Sequence, residues 1–365
     1  MHILVTADTV GGVWTYTQEL VSGLTRRGHR VTLVSFGAMP QAYQTAWMTG
    51  LPGLEYRPTD FRLEWMQDSE RDVRESTTFL ESIVREVQPD VLHLNQYCYG
   101  SISADVPRIV VAHSDVVSWW VGVYGTEPED SSWLRWYRET VTRGLRSADV
   151  VVAPSQWMLD AICRHYLQPV RGRVVYNGRS PELFKPSPKK ENFVLSVGRL
   201  WDRAKQMSLL LEREQSVPLC IVGSHEEPGK VSESTNGPRP AKRASGAQSP
   251  EQLRKLFADA ALYAATSRYE PFGLAPVEAA MCGCALIAND IPVFRELWGE
   301  AAYYFRTNDA DDLAAAVTRM CTDLELQQEY RARAYATACR RFAAAGMIDQ
   351  YESIYRSMTS AVRAA

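Results

Sequence analysis

No stretch of the 365-residue chain approaches the ~18 consecutive apolar residues that a membrane-spanning helix needs. The first residues, Met1-His2-Ile3-Leu4-Val5, enter a strand-like run with neither a basic leader nor a long apolar core. That pattern predicts no signal peptide and a cytoplasmic location. Charge of one sign is also lacking: 40 basic residues face 43 acidic ones, a formal net charge of −3. Nothing global therefore draws nucleic acid or an anionic membrane, although a local basic patch and a peripheral membrane contact stay open. The seven cysteines (Cys98, Cys163, Cys220, Cys282, Cys284, Cys321, Cys339) are odd in number and scattered, which reads as reduced thiols. Cys282-Gly283-Cys284 lacks the spacing and second pair of a zinc site; it reads as a helix end before a buried strand. The chain has neither the three-glycine dinucleotide fingerprint nor a Walker-type GxxxxGK[ST], so a nicotinamide cofactor is disfavoured. No resident cofactor is expected.

What the chain does have is a rhythm. Apolar residues make up 45% and charged residues 23%, the balance of a soluble globular protein. At ~100–200 residues per domain the length suggests two domains. Short β-branched runs at 3–5, 31–36, 91–94, 109–112 and 150–153 alternate with helical patterns at 13–27, 69–88, 131–147 and 155–166. A second series of strands follows at 193–197, 219–222, 261–265, 285–288 and 302–305, then helices at 309–322, 325–341 and 346–363. Strands alternating with helices imply parallel sheets buried on both faces. The expected fold is α/β: two Rossmann-like, doubly wound parallel-sheet domains facing a central cleft. Residues 1–178 form the N-terminal domain, 179–192 a linker, 193–345 the C-terminal domain and 346–365 a terminal helix. Segment 224–250 breaks the rhythm with Gly, Pro and Ser; it reads as a solvated loop, with Lys230, Arg239, Lys242 and Arg243 as the rival phosphate contacts.

Open α/β sheets bind ligands beyond the carboxyl ends of their strands, so the strand-end loops are where chemistry is expected. The first strand leads into Gly11-Gly12 ahead of a helix, where backbone amides can approach an anion. His113 ends a strand, and His93 and Asn95 end its neighbour. Taken alone, each of these three reads first as a satisfied structural residue, and only second as a ligand contact. In the second half, Arg199 and Lys205 flank a strand–helix turn, where a fork and a point charge suit a diphosphate. The most specific stretch is Glu270-Pro271-Phe272-Gly273-Leu274, followed by Glu278 in the next helical turn. Gly273 lets amides at a helix N-terminus meet a phosphate, and two carboxylates eight residues apart can grip separate parts of one long ligand. That spacing is too wide for a metal, so no metal is expected. Trp119 and Trp120 after His113 are either packing residues or faces for a sugar or lipid acceptor.

Together these residues resemble the family 4 retaining glycosyltransferases, which share the GT-B fold, over nearly the whole chain. Gly11-Gly12 resembles the family's N-terminal glycine loop, Pro154-Ser155 its strand-end serine and Asn177-Gly178 its linker motif. Arg199 and Lys205 match the pair that holds the donor diphosphate. Glu270 and Glu278 match the E-x7-E signature, the first facing the donor sugar and the second the ribose; His113 matches a histidine near the sugar and leaving phosphate. The resemblance implies that the last helix crosses back to the N-terminal domain. Three departures stand out: Gln206 in place of a glycine, Tyr176 in place of a proline, and the polar segment 224–250, where only Ser245-Gly246-Ala247 faintly matches the region framing the base.

The resemblance implies transfer of a sugar from a nucleotide diphosphate sugar, UDP favoured over GDP or ADP, to an acceptor hydroxyl with retention. The catalytic set is His113, Glu270, Arg199 and Lys205, with Gly11, Gly12, Phe272, Gly273, Leu274 and Glu278 completing the donor site. His93, Asn95, Trp119 and Trp120 mark the acceptor side, where the acceptor is a carbohydrate or is lipid-linked. The basic cluster Arg26, Arg27, His29 and Arg30 is a solvated helix end or a membrane contact. The rivals are a sugar-nucleotide epimerase of the same fold and a non-catalytic sugar-nucleotide-binding protein. The oligomeric state is not legible.

Overall fold

The structure is a computed structural model that describes residues 1–9, 11–224 and 248–364. The phosphate contacts weighed at Lys230, Arg239, Lys242 and Arg243, and the Ser245-Gly246-Ala247 match, lie outside the described residues. The chain divides into two compact units. The first comprises 1–121, 126–178 and 344–365, the second 122–125 and 179–343. Residues 179–192, expected as a linker, belong to the second unit.

The first unit contains β1 (His2–Asp8), α1 (Gly12–Arg26), β2 (Arg30–Phe36), α2 (Ala42–Thr45), β3 (Leu54–Pro58), α3 (Glu70–Val87), β4 (Val91–Leu94) and β5 (Arg108–Val111). These are followed by α4 (Val116–Tyr124), α5 (Ser132–Ser147), β6 (Val150–Ala153), α6 (Gln156–His165) and β7 (Gly172–Val174). The seven strands order as β3-β2-β1-β4-β5-β6-β7, all parallel. Ile3 pairs with both Val31 and Val91, so β1 sits where the winding reverses. Crevices for ligands open at such switch points. Here the loops after β1 and β4 carry Gly11 and Asn95.

Alternation along β1 splits the core. Ile3 and Val5 face α1, whereas Leu4 joins Leu80 of α3 and Val141 of α5. The α1 layer is completed from the far end of the chain by α12 (Ala344–Ala364). Met347, Ile348, Tyr351, Tyr355 and Met358 recur at helical spacing and are buried against β1, β2 and α1. The approach is close: a Cβ on Gly23 of α1 would lie 2.0 Å from Ile348 Cδ1. At its edge Arg27 reaches Asp349 at 2.7 Å, and His29 Nε2 reaches Glu352 Oε1 at 2.7 Å. Two members of the expected basic cluster are therefore engaged by carboxylates of the chain's own last helix.

The second unit contains β8 (Glu191–Val197), β9 (Leu219–Val222), α7 (Pro250–Asp259), β10 (Ala260–Ala265), α8 (Leu274–Met281) and β11 (Ala285–Asn289). It closes with α9 (Pro292–Trp298), β12 (Tyr303–Phe305), α10 (Ala310–Thr322) and α11 (Leu324–Arg341). Its five parallel strands order as β12-β11-β10-β8-β9, with the reversal between β8 and β10. Cys282 caps α8 and Cys284 precedes β11, both buried, as the helix-end reading expects. Among the described residues no helix is long and apolar enough to cross a membrane.

The strands β3 and β7 were not anticipated. Both are edge strands with no fully buried residue, so neither shows the continuous apolar run that marks the central strands.

Candidate active site

Helix N-termini are where the described chain offers backbone donors to a ligand. Helices α5, α6, α7, α10 and α11 open on a Ser or Asp whose side chain accepts from their own first turn. Ser155 does this for α6. By contrast, α1 opens on Gly11 and α8 on Gly273, each at positive φ (75° and 87°) and with no side-chain cap. Both glycines follow a switch-point strand, so both uncapped N-termini lie at the carboxyl edge of their sheet.

The site of the second unit gathers the residues expected from sequence. Lys205, in the turn after β8, donates through Nζ to Glu270 Oε2 at 2.5 Å. Ser267 Oγ donates to the same oxygen at 3.1 Å. A Cβ on Gly273 would stand 3.2 Å from Glu270 Cγ, so glycine is what lets the carboxylate lie beneath the start of α8. Ser196, Lys205, Glu270, Gly273 and Leu274 line one pocket here. Arg199 bends onto Asp202, with Nη2 2.6 Å from Oδ2, and lies over the Trp201 ring. Its side chain keeps 41% of its surface exposed, against 2% for Asp202. The turn is held tight by two glycines. Gly198 donates to Val222, and a Cβ on Gly223 would fall 1.7 Å from Gly198 O.

Glu278, in the second turn of α8, is buried and faces Arg179, with Nε 2.8 Å from Oε1. Arg179 follows Asn177-Gly178, lies over Phe184 and donates its backbone N–H to Phe342 O. Phe272 is 3% exposed and packs edge-on against Phe342, so its ring belongs to the core rather than to the ligand surface. That corrects the expectation of a donor-binding side chain at this position. The sequence reading also missed Arg179, Ser267 and Asp202. Ser267 was findable three residues before Glu270; the other two needed their partners.

In the first unit, His113 is partly buried after β5. Its Nε2 lies 2.8 Å from Asn95 Oδ1, and Tyr16 packs at a steep angle to its ring at 4.6 Å between centroids. Asn95 is itself buried, with Nδ2 donating to Thr6 O at 2.6 Å. Burial pushes the His113 imidazole down to about 3, so it is neutral at ordinary pH. His93 departs from its expected role on the acceptor side. It is fully buried, with Tyr16 Oη 3.0 Å from Nε2 and Tyr355 Oη 2.7 Å from Nδ1. An imidazole satisfied on both nitrogens beneath α12 ties helix to sheet and meets no acceptor. Trp119 and Trp120 sit half-buried on α4, edge to face at 6.5 Å. Gly11 and Gly12 are exposed. Among the described residues no cluster of three His, Cys, Asp or Glu side chains is arranged to hold a metal.

Residues 10–183 match the family described as Glycosyltransferase Family 4, and residues 181–337 match Glycosyl transferases group 1. A phosphatidyl-myo-inositol mannosyltransferase of Mycolicibacterium smegmatis is 25% identical, covering 90% of this chain and 85% of its own. An alpha-maltose-1-phosphate synthase of the same organism is 24% identical over 73% and 76%. Among solved structures, a sucrose-phosphate synthase from Thermosynechococcus elongatus superposes with a TM-score of 0.79 at 19% identity, covering 99% of this chain and 100% of that one. HepE of Anabaena, solved with UDP and glucose, reaches 0.73 at 18% identity over 98% and 100%. The two Rossmann-like units are those of the GT-B architecture, and the chain belongs to the family 4 glycosyltransferases of group 1.

Proposed function

We propose that the protein transfers a glycosyl group from a nucleotide diphosphate sugar, UDP-linked in the first instance, to an acceptor hydroxyl with retention of configuration. The observation that carries this reading is the pocket of the second unit. There Lys205, the carboxylate of Glu270 and an uncapped helix N-terminus converge on one small volume, with Arg199 in the turn that supplies Lys205. As the donor bond breaks, negative charge builds on the leaving diphosphate. The amides at the start of α8, with Arg199 and Lys205 once released from their carboxylates, receive it, so the charge is met without a metal ion. In this reading Lys205 exchanges Glu270 for phosphate, Arg199 swings from Asp202, and Glu270 is left to face the sugar. Glu278 takes the ribose hydroxyls. The acceptor's proton leaves with the departing phosphate oxygen, so no separate base is required. His113 and the glycine loop at Gly11 and Gly12 are the first unit's contribution.

The acceptor is a carbohydrate or lipid-linked hydroxyl, in glycan or glycolipid synthesis. Support comes from the named activities of the relatives and from HepE, a neighbour solved with UDP-glucose. The work is placed in the cytoplasm, with a peripheral membrane contact where the acceptor is lipid-linked. The test is a thermal-shift screen with UDP, GDP, ADP and their sugars, followed by transfer assays with anomeric assignment of the product. A ligand bound only by the folded state raises the midpoint, so UDP compounds should shift it most. Epimerised donor in the absence of acceptor, or binding without turnover across a broad acceptor panel, would overturn the assignment.

A further inference from the structure

Asn95 has no freedom to turn its amide. Its backbone N–H donates to Thr6 Oγ1 at 2.9 Å and its Nδ2 donates to Thr6 O at 2.6 Å. A carbonyl can only accept, so the amide nitrogen must face Thr6 and Oδ1 must face His113. That oxygen accepts as well. The imidazole nitrogen 2.8 Å from it, Nε2, must therefore carry the proton. Because burial keeps the ring neutral, the second nitrogen, Nδ1, holds a lone pair. The groups packed around the ring leave this arrangement undisturbed. Tyr16 of α1 packs at a steep angle to the ring, and its hydroxyl is engaged with His93. His93 of β4 is likewise driven neutral by burial, and Asn95 is uncharged.

We propose that Asn95 is a positioning residue that fixes His113 as a hydrogen-bond acceptor through Nδ1, so that the ligand group it meets is a hydroxyl that donates. This rests on the glycosyl-transfer reading for the identity of the ligand. It narrows that reading: the sugar portion must present a donating hydroxyl to His113, and a carboxylate, phosphate or deoxy position there is disfavoured. His113 thereby reads sugar hydroxyls and leaves the leaving phosphate to the cations of the second unit.

Two measurements on the full chain test this. In the first, protein carrying 15N-labelled histidine is examined by NMR between pH 5 and 8, with His113 identified by its loss in His113→Gln. The expected result is protonated Nε2 and bare Nδ1 throughout, giving way to mixed tautomers in Asn95→Ala. Protonated Nδ1 in the wild type, or titration to imidazolium in that range, overturns the proposal whether or not Asn95→Ala folds. In the second, donors with single hydroxyls replaced by hydrogen or by fluorine are compared. Fluorine accepts weakly and cannot donate, so at one position both replacements should lower kcat/KM about tenfold, the worth of one hydrogen bond. That loss should vanish in His113→Gln. Retention of activity by the fluoro donor at every position where the deoxy donor fails would show His113 donating, and would sink the proposal. A protein that turns over no nucleotide sugar overturns the donor reading instead, while the tautomer measurement still decides this one.

Discussion

Arg179 Nε stands 2.8 Å from Glu278 Oε1, with only 9% and 11% of the two side chains exposed. A buried carboxylate of this kind stays charged only if a cation shares its burial. The guanidinium is fixed from beneath by the Phe184 ring, 5.0 Å from its centre, and by its own backbone bond to Phe342. The residue after Asn177-Gly178 therefore holds a cation against the carboxylate assigned to the ribose.

Arg179→Met should remove that support and the cation that faces Glu278. Breaking a buried pair costs about 3–5 kcal/mol. In a unit of this size each kcal/mol lowers the melting midpoint by about 2–4 °C. Arg179→Met combined with Glu278→Gln should recover most of the loss. A thermal double-mutant cycle checks this; additive losses would show that the two side chains are not coupled.

Lys205→Met together with Glu270→Gln removes both halves of the second ion pair, so no lone charge is left buried beneath α8. This variant should fold as well as the wild type by circular dichroism. Its transfer rate should nevertheless fall by at least ~10²–10³, the usual cost of one lost electrostatic contact to a developing anion. Near-normal kcat/KM in the folded double variant would contradict the role given to Lys205.

Burial drives His93 from 6.5 down to about 3. The sign follows from linkage. Between those values the unfolded chain binds a proton that the folded chain refuses, so stability falls as pH drops through that window and is unaffected above it. The slope approaches about 1.4 kcal/mol per pH unit at its steepest. Melting midpoints recorded from pH 8 to 4 should decline below about 6.5, with His113 contributing in the same window, and His93→Phe should make the decline shallower even though its absolute stability is lower.

Gln206 occupies the left-handed region at φ 48°, where a side chain is strained, and its Oε1 is buried without a hydrogen-bond partner among the described residues. Gln206→Gly should relieve both and raise stability by about 1 kcal/mol despite the looser unfolded chain. A lower melting midpoint would mean that the amide is satisfied in solution.

The sequence by itself determined the two α/β series and the positions of their central strands. The runs at 91–94, 150–153 and 219–222 coincide with β4, β6 and β9, because strands buried on both faces cannot avoid continuous apolar residues. It also located Arg199, Lys205, Glu270 and Glu278 at strand and helix ends, because turn glycines and helix starts leave local marks. Partnership leaves no such mark. Lys205 and Glu270 meet across 65 residues of chain, and His93 finds Tyr355 across 262. Edge strands such as β3 are stabilised by pairing with a neighbour rather than by their own pattern, so they too became visible only in the sheet. Tertiary structure alone decided that His93 is a buried tie to α12, that Phe272 is core, and that Arg179 holds Glu278. A side chain's role in each case depends on what desolvates it and which group faces it, and both are properties of packing rather than of sequence position.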